Sequence, residues 1–404
     1  MFEITIEKQA LSKILSYIEP TVGKNSQFNS DCIQMSADSN AIVTFCTNNT
    51  TEFTSVTMVC GGAQGCDGDA PLVPFKKFKS IIDTIDNNDI ITLKNLGGAL
   101  GIIYSSSISK KPIELAAVTG TTLPLPTIQN AQSQMSVEMT EFNKMISFAS
   151  DITDPNASMP IYSCMRIEQE NGKTDCSCID YTTKRLFSYN FKNTYTGSDK
   201  TDVLIEVHKF AKSIKMFEYC TEADVEMDAT NVHISSSQFP GAQNGFMQNI
   251  SSVDYFCRRI TGSYPSNITS SLTPGCDEYA KIDINALLSV MMRVKAIDDK
   301  TPGSSVINFN INKDTMYIQH ATSLGKVDEE IIINNMLSNL FNASFNYVDL
   351  SDIIESIKKT DVSAIEIGKL KTNANYYMVS PECVNGQDRQ VMFAISSVAQ
   401  QASV

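Results

Sequence analysis

Apolar residues return at spacings of three and four in six separate stretches, and each such stretch predicts a helix with one buried face. Three of the helices share a design in which lysines flank the apolar stripe and a polar turn leads into an alternating strand. Their stripes are Phe75, Phe78, Ile82 and Ile85 in 74–86; Phe210, Ile214 and Phe217 in 206–219; and Leu350, Ile353, Ile354 and Ile357 in 349–360. The other three are entered from a strand. Phe2, Ile4 and Ile6 lead to Leu11, Ile14, Leu15 and Ile18 in 8–19, which Pro20 stops. Val137 and Met139 lead to Phe142, Met145, Ile146 and Ala149 in 139–151; Ala280 and Ile282 lead to Leu287, Leu288, Met291 and Val294 in 283–297. An acidic or hydroxyl residue at or near each of these three starts suits the helix dipole.

Between the helices lie segments rich in Thr, Val, Ser, Ile and Tyr, at 42–48, 53–59, 161–169, 305–312 and 315–321, which predict strands. One unit (strand, helix, several strands, helix, strands) is thus used three times at a period of roughly 130–140 residues. The fold class is α+β, with two helices packed on antiparallel sheets in each repeat. Clusters of Pro, Gly and Thr place the boundaries. They give domain 1 at 1–123, a linker at 124–134, domain 2 at 135–270 and domain 3 at 271–381. The segment 237–250 reads as a loop insertion, and 382–404 as a C-terminal extension beyond the last strand, without a counterpart in the earlier repeats.

Length changes this picture little: 404 residues fit two to three domains, and 42% apolar with 19% charged residues is globular composition. No apolar run approaches the roughly 20 residues that span a bilayer, and the start is not signal-like, so a cytoplasmic protein without membrane contact is expected. Eleven cysteines in such a chain read as free, buried thiols. His208, His233 and His320 are scattered, and Cys60/Cys66 and Cys176/Cys178 lack zinc-site spacing, so no metal or cofactor is expected.

Charge matters more. A net charge of −13 excludes a protein that coats nucleic acid with its whole surface. Yet the six helices hold 13 of the 32 basic residues and only 11 of the 45 acidic ones. The candidate DNA-facing residues are Lys13, Lys76, Lys77, Lys79, Lys144, Lys209, Lys212, Lys215, Arg293, Lys295, Lys358 and Lys359. Helices gathered on one surface would meet the phosphates of double-stranded DNA without reading sequence, and a Debye length of about 8 Å would screen distant carboxylates. No aromatic platform accompanies the lysines, which argues against a single-strand binder. The glycine cluster 60–69 lacks the Lys-Ser/Thr of a P-loop, there is no G-x-S-x-G, and no carboxylates pair at catalytic spacing. An enzyme is not indicated.

A repeated two-helix, strand-rich unit with basic helices in an acidic chain resembles the DNA sliding clamps, and three units per chain resemble the beta subunit of bacterial DNA polymerase III. The segment 179–189 resembles that family's TDGHRLA turn, keeping Asp180, Arg185 and Leu186 with Thr183-Lys184 for Gly-His. The segment 256–274 resembles LIEGRFPDYRRVLP, keeping Gly262, Pro265, Leu272 and Pro274; 362–367 with 376–381 resembles the family's ending. The resemblance implies a homodimeric, head-to-tail ring around duplex DNA that acts as a processivity factor. It also implies a pocket for short hydrophobic peptides of polymerase and clamp loader, formed by Tyr162, Thr183, Arg185, Leu186, Pro265, Val362, Ala364, Met378 and Ser380. Ring closure would join the edge strand near Ile113 and Leu115 to the helix near Met291 and Ile297. The family's arginine after the proline is absent, and its pocket tyrosine aligns with Asp349, departures that fit a phage- or plasmid-encoded clamp. The alternative is an acidic, β-rich structural or virion scaffold that does not encircle DNA.

Overall fold

The computed structural model describes residues 2–24, 29–61, 63, 71–108, 111–118, 121–191, 195–197, 200–239, 249–265, 268–272, 275–298, 305–335, 341–373, 375–382 and 390–398. Two compact units emerge: unit 1, Met1–Asn143 with Asn193–Ser198 and Lys209–Arg259, and unit 2, Lys144–Lys192 with Asp199–His208 and Ile260–Val404. Each unit draws on more than one of the sequence repeats.

The described residues of unit 1 build two antiparallel sheets. One runs β1 (Glu3–Glu7), β6 (Ile90–Asn95), β7 (Ala99–Tyr104), β8 (Ile113–Ala116). The other has nine strands in the order β13 (Tyr195–Gly197), β9 (Ser133–Glu138), β15 (Glu222–Met227), β16 (Asn231–Ser236), β17 (Ile250–Arg258), β4 (Glu52–Val59), β3 (Ile42–Asn48), β2 (Cys32–Ala37), β5 (Leu72–Pro74). Unit 2 repeats the scheme. Its small sheet runs β21 (Gly325–Ile332), β20 (Thr315–Thr322), β19 (Val306–Asn312), β23 (Phe341–Asn346). Its nine-stranded sheet runs β14 (Lys200–Glu206), β10 (Cys164–Glu170), β11 (Lys173–Asp180), β12 (Arg185–Phe191), β26 (Val391–Ser396), β25 (Tyr376–Pro381), β24 (Ala364–Lys369), β18 (Tyr279–Asp283), β22 (Asn334–Asn335).

All six expected helices form: α1 (Lys8–Ile18), α2 (Phe75–Asp83), α3 (Met139–Ile152), α4 (Val207–Ser213) with a 3₁₀ turn over Ile214–Phe217, α6 (Ile284–Ile297) and α7 (Tyr347–Lys358). Their stripes are the core. Leu11, Ile14, Leu15 and Ile18 are buried in unit 1, as are Phe75, Phe78 and Ile82; Leu350, Ile353, Ile354 and Ile357 are buried in unit 2. Leu288, counted in the stripe of α6, is only half-buried; Ile284 and Val290 are buried there instead. Capping is uneven. Asp283 accepts the Ala286 amide at 2.7 Å and Asn346 the Val348 amide at 2.9 Å, whereas Glu7 makes no side-chain cap on α1. The nine described cysteines are free and buried, and burial raises the thiol pKa of Cys46 to about 12.

The expected strand 161–169 begins only at Cys164, after a 3₁₀ turn over Pro160–Ser163, and two elements occupy stretches that the sequence assigns to a boundary and to an extension. The first is α5 (Ile268–Leu272), inside the stretch read as a boundary. The second is β26, inside the supposed C-terminal extension, which sits between β12 and β25 and buries Val391, Met392, Phe393, Ala394 and Ile395. The last strand of the fold is therefore not 376–381. Strand order also supplies the missing counterpart: β26 beside β12 takes the place that β17 takes beside β4. Most of the expected insertion (240–248), most of the glycine cluster, and residues 383–389 and 399–404 of the tail lie outside the described residues.

Candidate partner-peptide site and basic helix faces

The expected basic residues divide by what faces them. In unit 1, Lys76, Lys77, Lys212 and Lys215 are exposed and have no ion-pair partner among the described residues; Lys209 is exposed as well. Lys13 is committed instead. Its ammonium pairs with Glu218 at 2.5 Å and lies 5.1 and 5.6 Å from the ring centres of Tyr17 and Tyr219. Tyr17 donates to the same carboxylate at 2.8 Å. Burial pushes the Glu218 pKa up, but the Lys13 and Tyr17 hydrogen bonds outweigh it and hold the carboxylate ionised. Lys79 lies between Glu19 at 3.5 Å and Asp83 at 3.7 Å.

In unit 2, Lys144, Lys295 and Lys358 are exposed and without an ion-pair partner among the described residues. Lys359 donates to Asp151 at 2.6 Å and to Ser147 at 3.2 Å, and Arg293 makes a two-pronged pair with Glu329. Lys13, Lys79, Lys359 and Arg293 thus already have a carboxylate partner.

The expected peptide-pocket residues all belong to unit 2, and sheet register separates them. Leu186 pairs with Ala394, and Ala394 with Met378, so the three side chains stand in one row on one face across β12, β26 and β25. Ser380 and Ala364 share that face further along their strands. An apolar cluster covers it: Ile268, Leu272, Leu370, Met378, Met392 and Ala394 are buried, with Ile179, Leu186, Tyr264 and Tyr376 half-buried around them. Tyr264 is anchored as its hydroxyl takes the Ile179 amide at 3.0 Å and reaches the Cys164 carbonyl at 3.3 Å. Pro265 follows it, half-buried. Tyr162 stacks on the exposed Tyr181 with ring centres 5.0 Å apart. Val362 and Thr183 are half-buried.

Arg185 does not join this row. As the neighbour of Leu186 in a strand it points to the opposite face, towards α7. There its guanidinium bonds Thr183 at 2.9 Å, Asp352 at 3.1 Å and Asp180 at 3.2 Å, with Asp349 at 3.9 Å. Burial raises Asp180, but hydrogen bonds from Thr183, Thr182 and Arg185 bring its pKa below the usual range. Asp349 goes the other way. Burial pushes it up to about 6 and the Arg185 charge only partly offsets that. Met378, Ser380 and Ala364 are buried by this chain's own residues, so Leu186, Tyr264, Pro265, Tyr162 and Tyr181 are what the surface offers. The role of α5, with Ile268 and Leu272 four residues apart, was hidden in a stretch whose Ser, Thr and Pro content reads as linker.

The expected interface residues also divide. Ile113 is exposed on β8, an edge strand of its sheet, while Leu115 turns into the core of unit 1. On α6, Met291 is buried, Ile297 is half-buried, and it is the neighbouring Met292 that is exposed. Leu115 and Met291 are therefore core residues of their own chain. Among the described residues, no helix is long and apolar enough to cross a membrane.

No family model and no curated protein matches the sequence. Solved structures do. A DNA polymerase sliding clamp from Pseudomonas aeruginosa bound to griselimycin superposes with a TM-score of 0.81 at 13% identity, covering 99% of this chain and 100% of that one. The DNA polymerase III subunit beta of the same organism gives 0.79 at 12% identity, over 98% and 100%. A Helicobacter pylori beta clamp bound to a DNA ligase peptide gives 0.77 at 11% identity, again over 98% and 100%. From its first strand to β26, this chain has the fold of the bacterial DNA polymerase III beta sliding clamps.

Proposed function

We propose that the chain is a DNA polymerase processivity factor, a sliding clamp that encircles duplex DNA and tethers a polymerase. The observation that carries this reading is the fold likeness, which extends over nearly all of this chain and all of the clamps it matches. In this reading the chain holds three clamp domains, 1–123, 135–270 and 271–381, the third completed by β26 from the C-terminal extension. The function is topological and calls for no catalytic residue: a closed ring leaves DNA only where the DNA ends.

Two copies join head to tail through the edge strands β8 and β21, with Ile113 on one side and Met292, Leu324 and Ile332 on the other, all of them exposed in the single chain. The exposed lysines of α2, α3, α6 and α7, with Lys212 and Lys215, meet phosphates without reading bases. Polymerase and clamp loader bind through short hydrophobic peptides at the surface of Leu186, Tyr264, Pro265 and the Tyr162–Tyr181 stack, in the cytoplasm with the replisome. The peptide and griselimycin bound by the matched clamps support that kind of ligand.

The test is retention on circular DNA. Loaded onto nicked circles, the protein should stay through a salt wash and be released when the circle is cut once. Protein that remains on linear DNA with free ends would refute the ring.

A further inference from the structure

Unit 1 contains a groove that the function above leaves unused. Its volume is about 640 Å³, within the range of sites for small ligands and short peptides. The floor is Phe53 and Phe256, whose rings meet edge to face at 5.9 Å. One wall is the β3–β4 turn, and the other is the stretch 121–129 with Leu125 largely exposed at 69%.

The groove is held open rather than left over. The Leu123 amide bonds Gln34 at 2.7 Å, the Pro124 carbonyl accepts from Asn48 at 2.8 Å, and the Gln129 amide bonds Asp228 at 2.9 Å. The rim stretch is therefore tied down at three points, and a ligand would not bear the cost of ordering it. Beside the floor, on the same sheet face, His233 stacks on Phe256 at 3.9 Å and fixes its plane.

Charge narrows the occupant. The only carboxylate among the lining residues is Glu52, which is buried and engaged by the Tyr255 hydroxyl at 2.7 Å and by Asn49 at 2.9 Å. The cation is Arg258, exposed, with no side-chain partner among the described residues. On a chain of net charge −13, this groove, with its aromatic floor and a rim of Thr and Asn, therefore presents one open positive group.

We propose that the groove docks an extended peptide segment of a protein partner, carrying a leucine or aromatic anchor beside an acidic residue. The anchor lies on Phe53 and Phe256 against Leu125, and the carboxylate meets Arg258. This inference is independent of DNA encirclement and of the unit 2 peptide surface.

A random hexapeptide library displayed on phage, selected on the full-length protein, tests it. Selected peptides are then labelled and titrated by fluorescence anisotropy against wild type, Leu125→Glu and Arg258→Glu. Both side chains are exposed, so unchanged thermal unfolding should verify that these variants fold. Expected is enrichment of an acidic residue next to Leu, Phe, Tyr or Trp, with affinity falling at least tenfold on each variant. Replacing the peptide's acid by lysine should cost a similar factor. The proposal fails if selection enriches nothing, or if the selected peptides bind both variants like wild type. It also fails if Leu125→Glu alters only the oligomeric state, since a second copy would then cover the groove.

Discussion

The two nine-stranded sheets share a strand plan but cover the same place differently. In unit 1, Glu52 opens β4 opposite Cys257, and Phe53 faces Phe256; in unit 2, Arg185 opens β12 opposite Ile395, and Leu186 faces Ala394. One sheet thus sets a carboxylate where the other sets a guanidinium. Glu52 accepts hydrogen bonds from the uncharged Tyr255 and Asn49, whereas Arg185 gathers Asp180, Asp349 and Asp352. The covering differs too. Over unit 1 runs the proline-bearing stretch 121–129, which leaves a groove above Phe53 and Phe256. Over unit 2 lies α5, whose Ile268 and Leu272 fill the equivalent space. The difference teaches that strand plan sets where a surface site can exist, while the segment crossing it sets whether the site is open.

The strongest way to break the equivalence of β17 and β26 is to remove β26. A chain ended at residue 381 should fail to give a folded unit 2, seen as loss of cooperative unfolding or of solubility. Phe393→Ala is the milder form. Phe393 is fully buried between Phe148 and Phe187, with ring centres at 5.8 and 5.2 Å, so the change should cost about 3–5 kcal/mol in a denaturant titration. A fully stable protein ended at 381 would return the segment to the status of an appendage.

The Arg185 side of the comparison can be sharpened by pH. With its pKa raised to about 6, Asp349 binds its proton more tightly in the folded chain than in the unfolded one, where carboxylates titrate near 4. Between those values the folded state holds more protons, so stability falls as pH rises from about 4 to about 6, and the loss is complete above that window. The side chain is only 13% exposed, and a shift of about 2 units corresponds to about 2–3 kcal/mol. Asp349→Asn should leave stability near pH 4 almost unchanged and raise it at pH 7.5 by part of that amount. Equal differences in melting temperature at the two pH values would contradict this.

The basic faces provide the third comparison. Substituting Lys76, Lys77, Lys212 and Lys215 by Ala should reduce the salt dependence of DNA retention more than substituting Lys144, Lys295 and Lys358. Each lost phosphate contact should lower the log–log slope by about 0.9. Asp151→Asn should act in reverse, freeing Lys359 to add up to about 1 to the slope. Identical slopes for all variants would remove these helices from the DNA surface.

Much of this was legible in the sequence, for a physical reason. Helices half-exposed to solvent must show their buried stripe, so all six were found with ends off by a few residues. Strand β26 was missed because VMFAIS is buried on both faces and has no alternation to read. Helix α5 is too short for a period, with only Ile268 and Leu272 to mark it. Lys13, Lys79, Lys359 and Arg293 read as DNA-facing cations in the sequence because Glu218, Glu19, Asp151 and Glu329 are distant along the chain, and only folding brings them together. Likewise the alternation that separates Arg185 from Leu186 needs the exact start of β12, which a motif resemblance does not fix.

The smallest expected effect concerns the turns beside the two sites. Thr50, in the β3–β4 turn, has φ 76°, and Lys184, in the β11–β12 turn, has φ 57°. Both lie in the left-handed region, which costs an L-residue roughly 1–2 kcal/mol, and a β-branched side chain suits it worst. Asn48 holds the Thr50 turn by accepting its amide at 2.7 Å, and Asp180 holds the other through Thr182 at 2.8 Å. Glycine relieves the strain but adds freedom to the unfolded chain, which takes back about 0.4–1 kcal/mol. Thr50→Gly should therefore stabilise by about 0.5–1 kcal/mol and Lys184→Gly by less, since lysine is not branched at Cβ. Thermal unfolding of the two single variants decides it. If Lys184→Gly gains more than Thr50→Gly, branching at Cβ is not what strains the unit 1 turn, and the groove wall it forms is more relaxed than its backbone angle implies.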